Sequence, residues 1–131
     1  MKTKLPAGYR ISVVDYEDSD GVALPMSARD CRWKPFFVLI HTEDDDEIAH
    51  AEVYHHGPEK LLMINDVWVD PEHRRRGLAN VMYLEAERMA GKPVHPYPGQ
   101  YEDGRAFWLQ PNRPFGRGIA NPEADVIRPG G

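Results

Sequence analysis

The sequence predicts one α/β domain built on a mostly antiparallel sheet, and three observations carry that expectation. The 131 residues suit a single core and are short for two. Extended runs rich in β-branched and aromatic residues recur between Tyr9 and Val69, two of them joined at hairpin distance. Beyond the last of these runs, Leu78 to Ala90 shows the three-and-four spacing of an amphipathic helix.

Taken in order, Tyr9 to Tyr16 reads as the first strand and is closed by the acidic run Glu17-Asp18-Ser19-Asp20-Gly21. Between Asp18 and Pro35 the pattern is weaker. Pro25 interrupts any long helix there, which leaves two short helices, or a helix over Met26 to Trp33 and a loop. Phe36 to His41 and Ile48 to His56 are the second and third strands, joined by the acidic turn Glu43-Asp44-Asp45-Asp46-Glu47. That turn is expected to be solvated, although it could also attract a cationic substrate. Gly57-Pro58 marks the next turn, and Leu61 to Val69 is the fourth strand, the most hydrophobic and therefore expected to be central.

In the helix that follows, Leu78, Val81, Met82, Glu85 and Met89 share one face, and Gly91 with Lys92-Pro93 stops it. Val94 to Tyr97 is a short fifth strand that its prolines confine to an edge or an irregular path. Asp103 is placed to cap a last helix carrying Ala106, Phe107, Trp108 and Leu109, which ends before Pro111. From Asn112 the chain is rich in Pro and Gly, with only Ala124 to Arg128 able to add a strand. The expectation is a domain over 1–116 and a loosely held tail over 117–131.

Composition narrows the class. The chain is 41% hydrophobic and 28% charged, and no run approaches the ~18 apolar residues that a membrane-crossing helix needs. Met1-Lys2-Thr3-Lys4-Leu5-Pro6 has no apolar segment behind it, so the pattern of a secretory leader is absent and a cytoplasmic location is expected. Cys31 is the single cysteine, which rules out an internal disulfide and suits a reducing compartment. The net charge of -5 argues against nucleic acid or an anionic membrane as partner. His55 and His56 are adjacent on a strand and point to opposite faces, so no metal site is expected from them.

The stretch that carries chemistry is Val67-Trp68-Val69-Asp70-Pro71-Glu72-His73-Arg74-Arg75-Arg76-Gly77-Leu78-Ala79-Asn80. An apolar strand that turns at a proline into an Arg- and Gly-containing loop and then a helix presents unpaired N–H groups at the positive end of the helix dipole. Such a turn binds phosphate oxygens. Gly77 lets a diphosphate approach the backbone, the small Ala79 keeps the first helical turn uncluttered, and the arginines add charge.

Val69 to Ala79 fits, without a gap, the pattern V-x-P-x-x-R-x-x-G-x-A/G that follows an apolar strand in motif A of the Gcn5-related N-acetyltransferases (GNAT), and the chain resembles a small, truncated member of that family. The resemblance is strong from about Leu61 to Gly91, weaker over Gly104 to Trp108, and rests only on strand order before residue 60. It implies a sheet flanked by helices on both faces, a cleft where the fourth and fifth strands splay apart, and acetyl-CoA as co-substrate. It implies that the backbone of Val67 and Val69 holds the acetyl and pantetheine arm, and that Arg74, Arg75, Arg76, Gly77, Leu78, Ala79 and Asn80 hold the diphosphate. The implied reaction is acetyl transfer to a primary amine of a small molecule, peptide or protein. The alternative is an acetyl-CoA-binding or protein-interaction module that no longer turns over. The family's two further strands have only the Pro-rich tail as counterpart here, so the truncated edge is expected to be covered by that tail or by a second copy.

The catalytic groups are less legible. The family often places a tyrosine on the last helix to protonate the leaving thiolate, and Trp108 stands at that position, where an aromatic anchor is the expected role. Water, another group such as Tyr101, or no acid at all would then serve in that role. Glu52 and Asp66 lie on the two strands that flank the implied acetyl site. Glu52 is favoured as the base and Asp66 as an acceptor that orients the amine, though each could equally be structural. Cys31 lacks the surroundings of a nucleophile.

Overall fold

The alternation in the extended runs folds them into one sheet. A computed structural model of the chain describes residues 4–16, 23–96 and 102–119. Its elements are β1 (Tyr9–Tyr16), β2 (Ala23–Pro25), α1 (Ala28–Cys31), β3 (Phe36–Thr42), β4 (Glu47–His56), β5 (Leu61–Val69), a 3₁₀ turn (Pro71–His73), α2 (Leu78–Ala90) and α3 (Glu102–Trp108). The strands lie in the order β2-β1-β3-β4-β5, and every neighbouring pair is antiparallel.

Register sorts the side chains onto two faces. Ile11 pairs with Ile40 and Val13 with Val38, while Val38, Ile40 and Phe36 pair with Ala51, Ala49 and Val53. These residues share a face because partners across a ladder project the same way. Leu78, Met82, Ala86 and Met89 of α2 close over that face, and all belong to one buried cluster with Leu62 and Ile64 of β5. Cys31 joins the same cluster from α1, so α1 and α2 share this side of the sheet. The burial of Tyr83, Ala86 and Ala90 beside the expected apolar stripe makes the covered face of α2 wider than its sequence pattern indicates. Glu85, placed on that stripe, keeps its side chain largely buried and pairs with the exposed Arg88.

Several expectations are corrected. Pro25 does not break a helix; it ends the short strand β2, and its position at the sheet edge is one where the missing N–H costs nothing. Only four residues then form α1, capped by the Ser27 hydroxyl accepting from the Asp30 N–H at 3.2 Å. β5 is not central: it is the last strand of the described sheet, and its apolar character comes from packing under α2. The fifth strand shrinks to a single parallel bridge between Val94 and Leu62, with the His95 N–H donating to the Leu62 carbonyl at 2.8 Å. Tyr97 and Tyr101 lie outside the described residues, as do the acidic run 17–21 and the possible strand 124–128. α3 begins at Glu102, one residue before the expected cap Asp103.

The segment after α3 is held far more firmly than its Pro and Gly content implies. Phe115 is fully buried in the core cluster, stacked on Phe107 with ring centroids 4.9 Å apart. Arg113 donates to the carbonyls of Trp108, Phe115, Gly116 and Ile119 at 2.8–3.1 Å. The Glu87 carboxylate accepts from the N–H of Val94 and that of Gly116, both at 2.8 Å, so one side chain of α2 ties down two loops.

Candidate functional site

Along an antiparallel ladder, residues alternate between bonding toward the partner strand and facing away from it. The Asp70 N–H donates to the Ile48 carbonyl at 2.8 Å, and the register then sets Trp68 opposite His50 and Asp66 opposite Glu52 as the pairs that bond across. The peptide groups of Val67 and Val69 therefore face away from β4, toward the outer edge of β5. At Leu62 that edge is taken by His95, at Val69 the carbonyl is taken by Arg74, and between them the edge is open among the described residues. A bulge between Glu52 and Val53 leaves Asn65 as an extra residue in β5, and the strand passes there from buried Met63 and Ile64 to exposed Asn65 through Trp68.

The turn that follows is built locally. The Asp70 carboxylate accepts from the Glu72 N–H at 2.9 Å, and Pro71 sits where a first-turn N–H is not needed. Arg74 Nε then donates to the Val69 carbonyl at 2.9 Å, bending the loop back over the strand end. Gly77 starts α2 with φ of 74° and no side-chain cap, so the first N–H groups of the helix are left for another partner. A Cβ built at Gly77 meets nothing within 4 Å, which means that the glycine is required by its backbone conformation and not by crowding within the protein.

Strand edge and helix start together wall an open cleft of about 550 Å³. Val67, Val69, Arg74, Arg75, Gly77, Leu78, Ala79 and Asn80 line it; Arg76 does not. The guanidinium of Arg76 lies instead over the ring of Tyr9, 6.0 Å from its centroid. Four lining residues were not singled out as donor-binding from the sequence: Trp68, His73, Phe107 and Gln110. Gln110 exchanges paired hydrogen bonds with Asn80 at 3.0 and 3.1 Å and donates to the Phe107 carbonyl at 2.8 Å, joining α3 to the first turn of α2. No local motif announces such a pairing across 30 residues.

Glu52 and Asp66 are brought together as cross-strand partners, on the face opposite α2, and neither lines the cleft. Asp66 is engaged by His50 Nε2 at 3.3 Å, while His50 Nδ1 lies 3.6 Å from Glu47. The His50 ring stacks on Trp68 at 5.5 Å, so an aromatic wall stands between the carboxylates and the strand end. In the acidic turn, Asp45 pairs with Arg10 at 2.6 Å, both well exposed.

Trp108 is an anchor: 5% exposed, edge-on to Phe115 and Tyr83, with the Arg113 guanidinium 4.6 Å above its ring. Tyr83 is the neighbouring phenol, and burial pushes its ionisation above the ordinary tyrosine range. The Cys31 thiol is fully buried and pushed up to about 11 by that burial. His55 Nε2 donates to the carbonyls of Cys31 at 2.9 Å and Lys34 at 3.1 Å, with its pKa lowered by burial and then by Lys92. Among the described residues no three His, Cys, Asp or Glu are grouped to hold a metal ion, and no helix is long and apolar enough to cross a membrane.

The sequence matches the acetyltransferase (GNAT) family over residues 6–94. No curated protein matches it. Two solved structures are similar: a GCN5-related N-acetyltransferase from Kribbella flavida, at 19% identity and TM-score 0.45, covering 69% of this chain, and a nourseothricin acetyltransferase, at 20% identity and TM-score 0.41, covering 64%. The chain spans 40% and 56% of the lengths of those two proteins.

Proposed function

Since the chain belongs to the acetyltransferase (GNAT) family, we propose that it transfers an acetyl group from acetyl-CoA to a primary amine. The observation that carries this reading is the continuity of one cleft from the outward peptide groups of Val67 and Val69 to the uncapped start of α2 at Gly77. A strand edge whose Val67 peptide groups face away from β4, with the Val69 carbonyl already accepting from Arg74, suits the amide-bearing pantetheine arm. The N–H groups of Leu78, Ala79 and Asn80, with Arg74 and Arg75 beside them, suit a diphosphate. Arg76 is left out of this set because it is occupied with Tyr9.

In the transfer, the amine nitrogen attacks the thioester carbon, the carbon–sulfur bond breaks, and the amine loses a proton. Glu52 is the base in this proposal, through a water if its carboxylate does not reach the amine directly, and the His50-bound Asp66 orients the incoming amine. Glu47, Asp66 and the exposed ring of Trp68 would favour a cationic acceptor. One observation favours a second reading, a module that binds the thioester without turning it over: the helix position that would carry a phenol holds the buried Trp108. A screen of amine acceptors with detection of free thiol separates the two. Thiol release on any acceptor establishes turnover, and saturable binding without release across the panel would leave the binding module.

A further inference from the structure

Tyr9 and His73 are 64 residues apart in sequence, yet the Tyr9 hydroxyl lies 2.7 Å from His73 Nδ1. The rings meet edge to face at 5.6 Å. Tyr9 packs against the buried core from β1, so its hydroxyl is a fixed point, whereas His73 ends the 3₁₀ turn and lines the cleft. With Nδ1 committed to Tyr9, Nε2 is the polar atom of the ring that remains for a ligand. If the Tyr9 O–H donates to Nδ1, the ring proton sits on Nε2 and His73 offers one oriented N–H donor.

We propose that His73, positioned by Tyr9, recognises a phosphate of the donor nucleotide and helps this chain select a phosphorylated thioester over a bare pantetheine one. The proposal rests on reading the cleft as a coenzyme A site. His73 would add one oriented donor to those that Arg74, Arg75 and the start of α2 already bring to the cleft. Of the three arginines after His73, Arg76 is turned onto the Tyr9 ring, and Arg74 has its Nε spent on the Val69 carbonyl. The imidazole, oriented by Tyr9, stands between the strand end and the helix start, and the Arg76 guanidinium lies on the far side of the Tyr9 ring. A merely structural Tyr9–His73 staple between β1 and the turn would alter stability without altering the choice of donor.

The test compares acetyl-CoA with S-acetylpantetheine, which carries the same thioester arm and no phosphate, by NMR titration of the full chain up to millimolar ligand. His73→Ala is expected to weaken acetyl-CoA about tenfold, as for loss of a hydrogen bond to a charged group, and to leave acetylpantetheine unchanged. His73→Gln, whose amide nitrogen approximates Nε2, recovers part of the loss. Tyr9→Phe weakens acetyl-CoA several-fold in the wild-type background and not at all in His73→Ala, because Tyr9 acts through His73. Equal acetyl-CoA affinity in wild type and His73→Ala overturns the proposal, as does the same proportional loss for both donors. A wild-type protein that binds neither ligand brings down the cleft reading itself.

Discussion

Glu52 and Asp66 face each other across β4 and β5, but their surroundings separate them. Asp66 is held by His50, whereas no hydrogen bond to the Glu52 side chain forms among the described residues. The Asp66 carboxylate is already engaged by a neighbouring side chain and that of Glu52 is left for a substrate or water, which keeps Glu52 as the proposed base. Glu52→Gln is expected to lower kcat by ~10²-fold with acetyl-CoA affinity nearly unchanged, measured by steady-state thiol release and titration. His55 gives a separate expectation for stability. Its folded pKa lies below the ordinary 6.5, so the unfolded chain binds the proton more readily. The stabilisation is complete above about 6.5 and declines as pH falls from there toward the lower folded value. Urea melts at pH 7.5 and 5.5 are expected to show a larger loss for wild type than for His55→Gln, and an equal loss in both would contradict the assignment. Both carboxylates were legible as unusual charges within apolar strands, but the His50 contact that distinguishes them depends on register, which no local pattern reveals.

At the scale of elements, α2 was the most legible, because a long periodic segment bounded by two glycines leaves little freedom; the helix runs over Leu78–Ala90 as its pattern indicates. The segment after α3 was the least legible. Pro and Gly there signal the lack of a regular ladder, and say nothing about the non-repeating contacts that replace one: Arg113 donating to four carbonyls and Phe115 filling the core beside Tyr83 and Trp108. Phe115→Ala is therefore expected to cost about 3–5 kcal/mol in chemical unfolding, the range for a buried phenylalanine, and a loss near zero would contradict its place in the core. β5 was misjudged as central for a related reason. Its hydrophobicity reports burial under α2 at Leu62 and Ile64 and an exposed apolar edge at Val67 and Trp68, and composition alone cannot distinguish those causes from burial between two strands.

Over the whole molecule, one strand edge and one uncapped helix start are proposed to form a single donor site. Gly77 is where the two meet, so it is the position at which the claim is most exposed. At φ of 74° a side chain brings backbone strain on the order of 1–3 kcal/mol, and the protein itself offers a Cβ open space there. Asn tolerates this conformation better than other residues, so Gly77→Asn serves as a control for the backbone, while Gly77→Glu adds a carboxylate beside the bound diphosphate. Calorimetric titration of acetyl-CoA into wild type, Gly77→Asn and Gly77→Glu, with circular dichroism to verify folding, tests the claim directly. Saturable one-site binding to wild type is expected, with a loss of at least about tenfold in Gly77→Glu, roughly 1.4 kcal/mol, exceeding that in Gly77→Asn. Absence of binding to wild type, or equal affinity in wild type and a folded Gly77→Glu, would contradict it.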